Sequence, residues 1–151
     1  MSYIHYRTKP GRFGVHVVYI ASKEINALTS AATDTIRIAT PFRKAYVLSC
    51  NVQTQVVPVV TTGTSTATLK KAQASDASTK TITSGFDLET LTANKGSPMV
   101  IPATVTESDR LLRNTGAVAT GDTLFLELVN GTTIATAPTA LFFVIGLAIL
   151  E

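Results

Sequence analysis

The sequence predicts an all-β domain, a single sandwich of two sheets with about eight or nine strands, of which an eight-stranded jelly roll is the expected version. Three observations predict it. Tyr46, Leu48, Cys50, Val52, Thr54 and Val56 alternate with Val47, Ser49, Asn51, Gln53 and Gln55. This sorts one mostly apolar face from one mostly polar face at the period of two that belongs to an extended strand. Gly, Pro, Asn and Asp punctuate the whole chain at short intervals and leave no long helical periodicity. Threonine supplies about one residue in six, and a β-branched hydroxyl residue suits the exposed face of a strand better than that of a helix.

The elements follow in order. Gly14 to Ile20 is β-branched and reads as a strand, and Thr35 to Ala39 turns Ile36 and Ile38 inward against Thr35 and Arg37. Thr40-Pro41 ends that strand, because proline cannot extend a central ladder. The long alternating strand comes next, closed by Pro58, and Val59 to Ser65 reads as a Thr/Gly turn. Thr66 to Lys71 places Ala67 and Leu69 opposite Thr66, Thr68 and Lys70, as the return arm of a hairpin. Gln73 to Ser84 is small and polar, with an exposed loop at Ser75 to Ser78, and Gly85 to Leu91 fits a helical turn or a strand equally. Met99 to Thr106 reads as a strand broken by Pro102, and Arg110 to Arg113 as another short one. Thr123 to Val129 turns Leu124, Leu126 and Leu128 inward, and Asn130-Gly131 signals a type I′ hairpin with a partner strand near Thr132. Leu141 to Leu150 is apolar on both faces, so it must be covered on both, at the centre of the protomer or at an oligomer interface.

At 151 residues the chain has the length of one domain. Residues 1–13 read as an extended basic N-terminal arm and 14–151 as the sandwich. Charged residues make up 15% of the chain, well under the roughly 25% of an average soluble protein, which favours extensive contact with like subunits or a larger assembly, a feature that many extracellular sandwich domains share. The net charge of +3 arises before Glu24, where Arg7, Lys9, Arg12 and Lys23 stand without an acid. The basic pI therefore describes the arm and not a nucleic-acid footprint on the whole domain. The longest apolar run, Ala140 to Leu150, has about half the roughly 20 residues of a membrane helix. The first twenty residues lack the continuous apolar stretch of a signal peptide. No membrane partner is expected.

The inventory for chemistry is thin, and a non-enzymatic protein without metal or cofactor is expected. Cys50 lies on the apolar face and has no second cysteine to pair with, which suits intracellular assembly. His5 and His16 lack a clustered carboxylate, so a cupin-like metal site is not expected. The acid pairs Asp87/Glu89 and Glu107/Asp109 read as solvated loop residues. Asp76, Asp87, Glu107, Asp109 and Asp122 are scattered without a calcium-loop spacing, leaving only a site built from separate loops.

Two sets of contact residues stand out. In the arm, Tyr3, Tyr6, Arg7, Lys9, Arg12 and Phe13 interleave aromatics with bases. That mixture can dock on a protein surface, form an ordinary first strand, or stack on nucleic acid, in that order of expectation. In the body, the uncharged amides Asn51, Gln53 and Gln55, with Phe143 and Ile145 of the last strand, read as an oligomer interface.

Pro41-Phe42-Arg43-Lys44-Ala45-Tyr46-Val47-Leu48 entering a long strand, then Thr66-Ala67-Thr68-Leu69-Lys70-Lys71, resembles small phage virion β-domains. Thr106-Glu107-Ser108-Asp109 before a short strand and Thr120-Gly121-Asp122-Thr123-Leu124-Phe125-Leu126-Glu127-Leu128 add to the likeness, which spans Phe42 to Val129. Such domains include capsid decoration or cement proteins and head-fibre or tail pieces. The resemblance implies a homo-oligomer, a trimer before a dimer, made in the host cytoplasm and bound to the major capsid protein on the outer surface of the virion. It carries over no catalytic residues. The alternatives are a receptor- or carbohydrate-binding fibre module, for which the absence of Trp leaves a thin stacking platform, and a jelly-roll shell subunit.

Overall fold

Alternation of apolar and polar residues carries through into paired strands. The computed structural model describes residues 3–4, 16–38, 44–74, 77–113 and 121–150. In chain order the strands are β1 (Tyr3–Ile4), β2 (His16–Ala21), β3 (Thr33–Ile38), β4 (Lys44–Gln53), β5 (Val59–Thr62), β6 (Thr66–Ala72) and β7 (Thr79–Thr81). They continue as β8 (Phe86–Asp87), β9 (Ser97–Pro98), β10 (Leu111–Arg113), β11 (Thr123–Val129), β12 (Thr133–Thr136) and β13 (Phe142–Ile149), and one helical turn, α1 (Glu107–Arg110), precedes β10.

The larger sheet runs β1-β2-β13-β4-β10, with β9 also on β4, and the smaller runs β3-β11-β6-β7, with β8 also on β6. A short ribbon pairs β5 with β12. With β1 set aside, the eight strands of the two main paths, counted along the chain, stand first-eighth-third-sixth in one sheet and second-seventh-fourth-fifth in the other. The fold is an all-β sandwich. Its core lies between the inner faces: Val18, Ile20, Val47, Cys50, Val52, Phe143, Ile145 and Leu147 from the larger sheet, and Ile38, Ala67, Leu69, Leu124, Leu126 and Leu128 from the smaller.

The long strand is not the uninterrupted alternation that its sequence suggests. Gly146 of β13 pairs with Ser49, but the next residue, Leu147, pairs with Val47, so Leu48 is an extra residue in β4. This bulge resets the phase, since two residues on one strand now oppose one on the other. Ala45 and Val47 point inward before it, Cys50 and Val52 after it, while Tyr46 moves to the outer face and Leu48 is 40% exposed. Gly146 sits opposite the bulge because no side chain fits there. A Cβ would lie 2.6 Å from the Ser49 hydroxyl and 3.2 Å from the ring of Tyr19.

Other expectations are corrected by tertiary pairing. Strand β6 is no return arm of β4, because the two lie in opposite sheets and β6 pairs with β11, β7 and β8. Val59 to Ser65 contains β5 before the turn at Gly63, whose φ is +83°. Gly85 to Leu91 divides into β8 and a 3-10 turn over Leu88–Thr90. Met99 to Thr106 forms no strand; the Val105 N–H donates to the Pro102 carbonyl and Thr106 caps α1. Asn130-Gly131 makes no type I′ turn, since neither residue has positive φ and β12 pairs with β5 instead of β11. Asn130 is buried and donates through Nδ2 to the Thr29 carbonyl (3.1 Å) and to Asp34 (2.7 Å). Burial raises the Asp34 pKa, yet hydrogen bonds from Thr29 and Asn130 outweigh it and hold the carboxyl below 3.8. Gly131 is required by packing, because a Cβ would run into Val60 and lie 2.7 Å from the Thr62 carbonyl.

Lys71 is the largest departure from the hydrophobic pattern. It shares the inner face of β6 with Ala67 and Leu69 and is 1% exposed. Its ammonium donates to the carbonyls of Ser108 (2.8 Å) and Leu111 (2.9 Å), tying α1 and the start of β10 to the smaller sheet. Burial lowers its pKa from 10.5, and Asp122 and Asp109 nearby oppose that fall.

Gly146→Ala lowers stability by about 1–3 kcal/mol through overpacking, and adding Ser49→Ala restores part of the loss in denaturant titrations. Lys71→Met leaves two carbonyls unpaired and costs about 1–3 kcal/mol. Between the lowered native pKa of Lys71 and 10.5 the unfolded chain binds the extra proton, so wild-type stability rises with pH across that window. Lys71→Met lacks this slope when denaturation is measured as a function of pH.

Candidate functional site

The outer face of the larger sheet is built by cross-strand rows. Val17 of β2, Ala148 of β13, Tyr46 of β4 and Leu111 of β10 form one row. Tyr19, Gly146 and Ser49 form the next, then Ala21, Val144, Asn51 and Pro98, and finally Phe142 beside Gln53. Among the described residues of β2, β13, β4 and β10, the outward positions carry only two charges, Lys44 and Arg113, which pair at one end. Most other positions are half-buried. The face thus combines apolar side chains with amides and has a basic edge.

The bulge shapes that edge. Arg110 of α1 lies over the Tyr46 ring at 4.6 Å and its Nε donates to the Val47 carbonyl at 2.9 Å. The guanidinium therefore satisfies a backbone acceptor at the bulge and stacks on the aromatic that the bulge turned outward.

The structure separates the expected contact residues. Asn51 and Gln53 lie on this face, and Gln55 is exposed just beyond β4. Phe143 and Ile145 do not reach it; both are fully buried between the sheets, because the inward phase of β13 falls on odd numbers. Their neighbours Phe142 and Val144 take the outer positions instead. Tyr3 belongs to β1, which pairs with β2 in the register Tyr3 to Ile20. Tyr6, Arg7, Lys9, Arg12 and Phe13 lie outside the described residues, as do His5 and Asp76.

Groups with chemical potential are engaged in structure. Cys50 is 1% exposed, its Sγ lies 3.5 Å from the Met99 sulfur, and burial pushes its thiol up to about 12. A nucleophilic cysteine needs the opposite shift. Asp87 accepts from the Glu89 N–H, and Glu89 accepts from the Val60 N–H. Asp109 completes a capping box with Thr106. Hydrogen bonds from Thr106 hold its carboxyl below 3.8. Asp122 receives the N–H groups of Ala74 and Arg113. Among the described residues, no three His, Cys, Asp or Glu side chains gather as metal ligands.

A groove of about 520 Å³ opens where β6 and β7 meet residues 81–85 and 102–109, lined by threonine hydroxyls, Asp109 and the ion pair Lys70–Glu127 at 2.7 Å. None of the described residues lining it is aromatic, so it lacks the stacking surface of a saccharide site. The role of Cys50 is checked by thiol titration: native protein reacts with an aromatic disulfide at least tenfold more slowly than denaturant-unfolded protein.

No protein-family model matches this chain, and no curated protein matches it. Among solved structures it is similar to the "Cyanophage Pam1 capsid asymmetric unit", with a TM-score of 0.47 and 16% identity, over 97% of this chain and 94% of that one.

Proposed function

We propose that this chain is a non-enzymatic structural protein of a phage virion, which decorates or cements the outer capsid surface through the outer face of its larger sheet. The carrying observation is that face: four strands wide, with its charges (Lys44, Arg113 and, over Tyr46, Arg110) confined to the β10 side, and mixing Val144 and Phe142 with Asn51 and Gln53 elsewhere. A surface meant to stay in water would carry charge at such positions, whereas depletion of charge with retained aromatics is the composition of a contact core. The interleaved strand order supports a jelly-roll reading. The resemblance of the Phe42–Val129 region to phage virion β-domains supplies the kind of assembly. The arm, with Tyr3, Tyr6, Arg7, Lys9, Arg12 and Phe13, adds a second contact to capsid or to a neighbouring subunit. Many weak contacts repeated over a shell sum to firm attachment.

Co-sedimentation with particles of the co-encoded capsid protein tests this reading. Wild-type protein pellets with the particles, Val144→Arg attaches at least tenfold more weakly, and deletion of residues 2–13 weakens attachment further. Undiminished attachment of a folded Val144→Arg protein overturns the proposal.

A further inference from the structure

We infer that the basic edge of this face is a receptor for carboxylates, and that the partner seated there is an acidic protein segment bringing at least two of them. This rests on the reading of the face as a capsid contact and names the chemistry that the capsid side supplies.

Like charges stand directly opposite each other at this edge. Lys44 of β4 pairs in register with Arg113 of β10, and both side chains are exposed on the outer face. The Cβ atoms of such a pair lie about 5 Å apart, where like charges destabilise a sheet. The smaller sheet neutralises its own outward lysine, since Lys70 of β6 holds Glu127 of β11 at 2.7 Å. Among the described residues no carboxylate forms an ion pair with Lys44 or Arg113. Asp122 is near in the fold, but its two oxygens accept the main-chain N–H groups of Ala74 and Arg113. The repulsion between Lys44 and Arg113 is therefore relieved by an anion from outside.

Arg110 adds a third cation beside this pair. Its Nε donates to the Val47 carbonyl and its guanidinium lies over the Tyr46 ring, which fixes the plane of the fork while leaving its terminal nitrogens to donate. A fork held in this way loses little freedom when a carboxylate arrives and can bind it through two parallel hydrogen bonds.

The distribution of charge selects protein over nucleic acid. A phosphate backbone is tracked by cations along its whole path, whereas the cations here are confined to one edge. The surface next to them holds Val144, Phe142, Asn51 and Gln53. An apolar patch with carboxylates on one flank is the complement of that arrangement, with apolar contact at the centre and charge pairing at the rim.

Attachment to particles of the co-encoded capsid protein is measured from about 50 mM to about 500 mM salt, where screening shortens the reach of rim charges, and it weakens about tenfold or more. Arg113→Glu weakens attachment by a similar factor at low salt. Because it sets opposite charges across β4 and β10, it also raises the melting temperature of the free protein, and these opposed readouts separate a lost partner from a damaged fold. The free chain is then titrated with an oligoglutamate peptide and with a single-stranded oligonucleotide of equal charge. The peptide binds more tightly, and Arg113→Glu abolishes its binding. Attachment that ignores both salt and Arg113→Glu yet is lost in Val144→Arg overturns the inference and leaves the capsid reading intact. Binding of the oligonucleotide as tight as that of the peptide overturns the acidic protein partner, and a lowered melting temperature in Arg113→Glu overturns the repulsion. Wild-type protein that never attaches to particles but binds oligoglutamate through Arg113 removes the capsid reading and sustains the carboxylate receptor.

Discussion

A ten-residue strand that twists across a sandwich has to keep its apolar side chains on the core for its whole length, and in β4 the sequence cannot do this in one phase. Val47 and Cys50 are three residues apart and both are buried. Strict alternation would send one of them into solvent. The extra residue at Leu48 resolves the conflict, and it requires glycine on the neighbouring strand, because Ser49 and Tyr19 close over position 146. Bulge and glycine are therefore one device. It lets the central pair of the larger sheet, β4 with β13, present Ala45, Val47, Cys50 and Val52 to the core, and it exports Tyr46 and Leu48 to the outer face. The surface proposed for assembly is a by-product of packing the interior.

The second constraint is polar. Buried hydrogen-bonding groups must find partners, and among the described residues this sandwich leaves only one buried side-chain polar atom, Asn130 Oδ1, without one, satisfying the rest with side chains that reach between elements. Lys71 crosses the core edge to the carbonyls of Ser108 and Leu111, Arg110 takes the Val47 carbonyl at the bulge, and the Thr54 hydroxyl donates to the Val56 carbonyl at 2.7 Å with the Thr139 carbonyl 3.0 Å away. Together they hold α1 and the two flanks of β4 in place. The carboxylates Asp87, Glu89, Asp109 and Asp122 serve as caps and ties.

Much of the architecture was legible in residue order. The inward leucines of β11, the inward Ala67 and Leu69 of β6, Ile36 and Ile38 of β3, and the apolar character of both faces of β13 all follow from local pattern, because side-chain direction on a strand depends on parity alone. The inward position of Lys71 was also present in that parity, two places beyond Leu69, but a lysine reads as exposed until a partner for it is known. Asn130-Gly131 shows the opposite failure. Its dipeptide signals a turn, yet Asn130 is spent on Asp34 and Thr29, residues about a hundred positions away, and the following strand leaves for another partner.

By itself the sequence determined the fold class, most of the long strands, and which parity of most of them is apolar, since these depend on neighbours within a few residues. Only the tertiary structure decided the pairing of β6 with β11 and not with β4, the phase break at Leu48, and the burial of Phe143 and Ile145 with Phe142 and Val144 outside. Each of these depends on which distant strand lies alongside, and a β-ladder is closed by long-range hydrogen bonds that local periodicity does not encode.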